Sequence, residues 1–323
     1  MAGRWAARHS HGELIGAVAR IGVAIALSVG VSELILRWKM NMSPTSAPVE
    51  VPATHADARY GWRYDAPHSN YNIVMNGHVV PVAINARGER ARTENDLPEL
   101  SQPTIVFVGE SVVLGLGITY EESFPALVGE ALGVQIANLA VHAYGDDQSY
   151  VRLHDALPDF EHPIAVVQLV FEDLLERNVE RERTHLRLQD DGTFVSIPRT
   201  PREDRWRLSL LAERLARYQS DEAIEVARTT YRAMVSMAKA RGAVPLIVLT
   251  NYQGPCLPDE TGAPSLERIL FEGQNLPYIR VDLDPSWILP NGHPDARASR
   301  RLAEAVQAAL APKLPELRAR IRL

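Results

Sequence analysis

A serine and a histidine, far apart in the chain, have the surroundings that acyl chemistry needs. Ser111 follows the run Thr104-Ile-Val-Phe-Val108 and the pair Gly109-Glu110. His293 sits in Asn291-Gly-His-Pro-Asp295, directly ahead of an amphipathic stretch from Ala296 to Leu310. A serine hydroxyl attacks a carbonyl only when a base takes its proton. An imidazole takes that proton and later returns it to the leaving group. Two other uses of the Ser111 stretch compete with this one. A lone serine behind a strand most often caps a turn. A phosphate-cradling loop is the other, but Gly115-Leu-Gly117 lacks a third glycine and opens no immediate helix, and no Gly-Lys-Ser/Thr occurs.

Whether the two residues meet depends on the elements around them. Thr104 to Val108 is short, apolar and rich in β-branched residues, as in strands buried on both faces of a parallel sheet. Similar runs occur at Val134–Asn138, Ile164–Phe171, Val244–Thr250 and Tyr278–Leu283. Helical spacing separates them. Between Glu121 and Leu132 the apolar positions are Phe124, Leu127, Val128, Ala131 and Leu132, and further helices are expected over Asp147–Leu157, Leu208–Tyr218, Asp221–Arg241 and Ala296–Leu310. Such alternation predicts an α/β fold: a three-layer α/β/α sandwich with a mostly parallel sheet. Loops beyond the C-terminal ends of parallel strands share one rim. Ser111, the segment Asn138–Gly145, Glu172-Asp173 and Asn291–Asp295 are therefore expected to converge.

The ends of the chain carry other signals. Met1 to Gly12 is basic and polar, and Leu14 to Leu36 is apolar enough and long enough for a bilayer core, which takes ~20 residues. Arg20 and Glu33 lie near its two ends, and Arg37-Trp38-Lys39 closes it in the manner of interface anchors. No small-x-small cleavage site follows, so an uncleaved signal anchor is favoured over a cleaved signal peptide or a buried helix. The division expected is 1–40 tail and transmembrane anchor, 41–59 linker, and 60–323 the α/β domain. Within 60–102, Tyr71–Met75 and Val79–Ile84 flank Asn76-Gly77, a hairpin signal. Ala86–Gln102 reads as loop, Thr184–Arg207 as a lid or insertion with a small hairpin about Asp191-Gly192, and Pro312–Leu323 as a basic tail. The net charge of −6 argues against a nucleic-acid partner, and the single cysteine, Cys256, excludes an internal disulfide. No spacing of His, Asp, Glu or Cys suggests a metal, and no cofactor is expected.

The order of these blocks resembles the SGNH (GDSL-like) hydrolases over about Tyr60 to Leu310. Gly109-Glu110-Ser111 looks like the family's Gly-Asp-Ser nucleophile block. Asn138-Leu-Ala-Val-His-Ala143-Tyr-Gly145 is similar to its second block, Val170-Phe-Glu172-Asp173 stands at the third, and His293-Pro294 matches the histidine block. Val112–Phe124, Gly61-Trp62-Arg63 and Asn85-Ala-Arg-Gly88 resemble the membrane-anchored bacterial branch.

That resemblance implies a flavodoxin-like SGNH hydrolase fold behind a transmembrane helix. Ser111 would be the nucleophile and His293 the base. The backbone N–H groups of Ser111 and Ala143, with the side chain at 172, would face the oxyanion. Four departures stand out. Glu110 replaces an aspartate. Ala143 replaces a glycine. Glu172 replaces an asparagine, and an ionised carboxylate only accepts hydrogen bonds. Pro290 replaces the acid of the triad, leaving Asn291 as an orienting group, with Asp282, Asp284 and Asp295 as conceivable substitutes. Asp295 is more simply a helix cap, and His142 a loop histidine. The implied activity is an esterase acting on a small-molecule or glycan ester outside the inner membrane. An O-acyltransferase and a non-catalytic binding protein are the alternatives.

Overall fold

The computed structural model describes residues 3–42, 54–75, 78–171, 173–180, 183–189, 191, 193–199, 206–209, 221–250, 265–289 and 292–321. The chain divides into two compact units, Met1–Ala47 with Pro201–Ala216, and Pro48–Thr200 with Arg217–Leu323.

The first unit is organised on one helix, α1 (Gly3–Met42). It runs past the apolar stretch at both ends, so the basic N-terminal residues continue the helix rather than forming a separate tail. Its segment Ile15–Lys39 is long and apolar enough to cross a membrane by length and composition. Ile15, Val18, Ile21, Leu27 and Leu34 are all exposed. Glu33 is the exception, at 7% exposure. Its two carboxylate oxygens accept from the amides of Arg207 (2.8 Å) and Leu208 (2.9 Å), and Arg37 Nε pairs with it at 2.7 Å. A carboxylate held by two N–H groups and a guanidinium is stable away from water. Residues 207–209 are helical, as expected of Leu208–Tyr218, and the rest of that stretch lies outside the described residues.

In the second unit, β1 (Thr54–Asp57) pairs with β2 (Gly61–Tyr64). The expected linker therefore ends in a strand. The hairpin is β3 (His68–Met75) with β4 (His78–Ile84), joined in register Met75↔His78, and its turn residues 76 and 77 lie outside the described residues. The expected loop 86–102 contains a two-residue strand, β5 (Arg90–Ala91), too short to show any periodicity. It pairs with β4 on one side and with β7 (Gln135–Asn138) on the other. That splice joins the antiparallel hairpin to the parallel strands.

The remaining parallel strands are β6 (Thr104–Val108), β8 (Pro163–Val170), β11 (Val244–Thr250) and β12 (Tyr278–Val281). Between β8 and β11 a small antiparallel pair forms, β9 (His185–Leu188) with β10 (Phe194–Ile197). The main sheet has the order β12-β11-β8-β6-β7-β5-β4-β3. Counting its parallel strands along the chain gives the order 2-1-3-4-5, the flavodoxin-like arrangement. Its switch point lies between β6 and β8.

Side chains alternate across β6 and create two cores. Ile105 and Phe107 face the helices α3 (Phe124–Leu132) and α8 (Ala296–Leu310), with Val128, Leu302 and Val306. Val106 and Val108 face α4 (Asp146–Ala156), α6 (Asp221–Ala240) and α7 (Leu266–Phe271), with Leu153, Tyr231 and Phe271. Two further short helices, α2 (Ser111–Leu114) and α5 (Asp173–Arg177), follow β6 and β8. Helices on both faces make the three-layer sandwich. The basic tail is corrected to a turn and a helix, α9 (Leu314–Ile321), whose Leu314 and Leu317 are buried in the first core.

Candidate active site

Beyond β6 the chain turns sharply. Gly109 has φ +149, and a Cβ there would meet Val113 Cγ2 at 2.5 Å, so only glycine fits. Glu110 caps the one-turn helix α2, its Oε1 accepting from Val112 N at 2.7 Å. Ser111 is the first residue of that turn and is 5% exposed.

His293 is carried in by the segment after β12. Asp284 caps a 3-10 turn, Pro285–Trp287. Leu289 N then donates to His293 O at 2.8 Å, and Asp295 N to Trp287 O at 2.8 Å. The result brings His293 Nε2 to 2.8 Å from Ser111 Oγ. The two residues singled out from sequence thus lie in hydrogen-bond contact at the switch point.

The second-block loop completes the rim. Val141 N donates to Gly109 O (3.2 Å), and Asn138 Nδ2 to Val113 O (2.8 Å), which ties this loop to the serine turn. Ala143 has φ +62, a left-handed conformation that costs a residue with a Cβ roughly 1–2 kcal/mol. Arg183 Nη1 donates to Ala143 O, and Arg177 Nη1 donates to Tyr144 O at 3.1 Å. Both carbonyls are held from outside. Among the described residues, the amide groups of Ser111 and Ala143 donate to no protein acceptor. Ser111 N–H is an orphan of the helix N-terminus. Two such free donors are what an oxyanion site requires.

The N-terminal segment Gly61–Tyr64 props the same loop. Tyr64 Oη accepts from His142 N (2.8 Å), Trp62 Nε1 donates to His142 O (3.2 Å), and Tyr144 Oη donates to Trp62 O (2.5 Å). Arg152 links the loop to Asn85–Gly88 by donating to Leu139 O (3.0 Å) and Gly88 O (2.8 Å). The motifs flagged at 61–63 and 85–88 therefore act as buttresses.

Electrostatics at the site centre on Glu110, which is 1% exposed. Burial pushes its pKa up, but Arg177, the Ser111 hydroxyl, Val112 N–H and the neighbouring His293 outweigh that and hold it below the usual carboxylate range. His142 is pushed down to about 4, first by burial, and is neutral at ordinary pH.

Glu172, Pro290 and Asn291 lie outside the described residues. The three candidate acids have other work: Asp282 pairs with Arg280 (2.9 Å), Asp284 accepts from Ser286 N (2.8 Å), and Asp295 caps α8 through Arg297 N and Ala298 N. Arg177 and Arg183 were not singled out from sequence. The one available signal was the place of Arg177 in the run 172–178 at the C-terminal edge of a parallel strand. Among the described residues no group of three or more His, Cys, Asp or Glu side chains could hold a metal ion.

No family model and no curated protein matches the chain. Solved structures do. A G-D-S-L family protein from Desulfitobacterium hafniense aligns at 15% identity and TM-score 0.39, over 64% of this chain and 98% of its own. An acetyl xylan esterase from Butyrivibrio proteoclasticus aligns at 13% identity and TM-score 0.40, over 68% of this chain and 66% of its own. A family two carbohydrate esterase from Cellvibrio japonicus gives 14% identity and TM-score 0.34, over 75% of this chain and 80% of its own.

Proposed function

We propose that this chain is a serine esterase, held at a membrane by α1, that cleaves acyl esters through an acyl-Ser111 intermediate. The observation that carries the reading is the 2.8 Å approach of His293 Nε2 to Ser111 Oγ. In the reaction, Oγ bonds to the ester carbonyl carbon while its proton passes to Nε2. The carbonyl π pair moves onto oxygen, facing the free N–H groups of Ser111 and Ala143. Collapse breaks the bond to the alcohol, which leaves with the proton from Nε2. Water then repeats the sequence on the acyl-enzyme, giving the free acid and restoring Ser111. Each oxyanion donor is worth about 10²–10³ in rate at sites of this kind.

Placement of the domain outside the cytoplasm is part of the same proposal. It rests on the apolar, exposed length of Ile15–Lys39 near the chain's start.

A fluorophosphonate probe tests the chemistry. The expected outcome is a covalent adduct at Ser111, found by mass spectrometry, that forms slower by a factor of about 10³ or more in His293→Ala. A folded protein that takes no label at Ser111 is a binding module, and the esterase reading is then wrong. An acetyl ester turned over in the presence of glycans with free hydroxyls separates the two reactions, hydrolysis giving free acetate and transfer giving acetylated glycan.

A further inference from the structure

The charge that supports His293 comes from an unexpected side. Glu110 uses Oε1 to cap α2, and its Oε2 accepts from Ser111 Oγ. Ser111 Oγ also touches His293 Nε2 at 2.8 Å. The three groups form a chain, carboxylate to hydroxyl to imidazole, inside a site where Glu110 is 1% exposed. A hydroxyl has one proton. While Glu110 is ionised, that proton lies toward Oε2, and the contact with His293 is made by Nε2–H donating to Oγ. The neutral imidazole with its proton on Nε2 and the imidazolium both make that contact, and the nearby carboxylate charge favours the imidazolium.

We infer that Glu110 serves as the carboxylate of this site, stabilising the imidazolium of His293 from the nucleophile's side, where SGNH enzymes by resemblance use an aspartate that this sequence replaces with Pro290. The inference rests on the esterase reading for its meaning but not for its test. Acylation starts from the neutral imidazole with its proton on Nδ1 and a lone pair on Nε2: the hydroxyl turns from Oε2 to Nε2, and its proton transfers there as Oγ bonds to the carbonyl carbon. The imidazolium so formed lies across the vacated hydroxyl position from the Glu110 carboxylate. When the alcohol leaves, it takes the Nε2 proton, and the imidazole is neutral again. No proton is gained or lost by Glu110.

Two observations support this direction. Electrostatic interaction with His293 is one of the causes that lower the Glu110 pKa, and a coupling between two ionisable groups is reciprocal. Asp282, Asp284 and Asp295 are each engaged with other partners. The other charged groups around the pair are Arg177 from α5, which opposes the effect at 3.5 Å from Oε2, and Arg183, bonded to the second-block loop. On the segment that carries His293, Asp295 and Arg297 neutralise one another. His142, at about 4, keeps one charge state across the working range.

The test is a pH titration of His293 by histidine side-chain NMR, assigned by the signal lost in His293→Ala, in the full chain. Glu110→Gln keeps an acceptor for Val112 N but removes the charge. The expected result is a fall of about one pH unit or more in the His293 midpoint, with Glu110→Asp near wild type. An unmoved midpoint overturns the inference. Should Glu110→Gln fail to fold, Arg177→Gln is read instead, with the midpoint expected to rise, and no rise overturns the inference. The NMR reading is independent of turnover, so a chain that never labels at Ser111 defeats the esterase proposal while leaving this question answered.

Discussion

At the scale of single residues, Ala143 shows how the site tolerates a departure from its pattern. A glycine would adopt φ +62 freely, whereas an alanine has to be held there. Arg183 is bonded to the Ala143 carbonyl and Arg177 to the next one. Releasing the Ala143 carbonyl would let the residue relax out of its left-handed conformation, and the accompanying change in φ would reorient its N–H, which belongs to the preceding peptide. Arg183→Ala is therefore expected to slow fluorophosphonate labelling about tenfold or more, since a lost oxyanion donor costs up to 10³. Ala143→Gly in the same background is expected to recover part of the loss, because glycine needs no external grip. Labelling rates of the single and double variants check this; an equal deficit in both would mean that Arg183 acts elsewhere. Ser111 and His293 were legible in the sequence because each stands at the end of a recognisable element. Arg177 and Arg183 were not. They act on backbone carbonyls, and a residue that serves a carbonyl leaves no side-chain pattern to read.

At the scale of elements, α4 starts directly behind the loop 139–145 on two buried acids. Asp146 accepts from Asn178 Nδ2 (3.2 Å) and Asp147 Oδ2 from Leu186 N (2.8 Å). Burial pushes Asp146 up to about 6, against the nearby Tyr231 hydroxyl and hydrogen bonds from Asn178 and Gln168. It pushes Asp147 up to about 7, against the N–H groups of Leu186 and Gln148, with the charge of Asp146 adding to the rise. Folded values above the unfolded ~3.9 mean that the native state holds these protons more tightly. Their stabilisation is complete below about pH 4 and is lost as pH rises through about 6 to 7. The contribution of this pair to the unfolding midpoint is expected to fall from pH 5 to pH 8, and Asp147→Asn to flatten that slope. Thermal melts across the range decide it; an unchanged slope in the variant would rule out Asp147 as its source.

Long, periodic elements such as β6, β11, α6 and α8 were legible to within a residue or two at their ends. Short ones were not. The two residues of β5 carry no period, yet they join the hairpin to the sheet. Thr54–Asp57 was hidden because β1 pairs only with its own neighbour and buries no side chain fully, so its composition resembles a linker.

For the whole molecule, the order of parallel strands fixes where chemistry can occur. Alternating strands and helices predicted the layers, and the rim followed from the rule that ligands meet open sheets at the carboxyl ends of their strands. The order 2-1-3-4-5 itself was not readable, since no residue pattern states which strand lies beside which. Nor did the sequence reveal that Pro201–Ala216 belongs with α1 rather than with the sheet. That association rests on Glu33 and two backbone amides, a contact across a long stretch of chain. Removing residues 1–47 is expected to move the protein from the membrane pellet to the supernatant after high-speed centrifugation; a truncated chain that still pellets would place the membrane contact elsewhere.

The Glu33 clasp gives this molecule a second mooring. If α1 holds the protein at a membrane as proposed, severing the chain between α1 and β1 would cut the first line and leave the other, because the amides of Arg207 and Leu208 still hold Glu33 of α1. A nicked protein would stay aboard until that carboxylate was replaced, so shedding of the sheet unit would take two events where a simple stalk needs one.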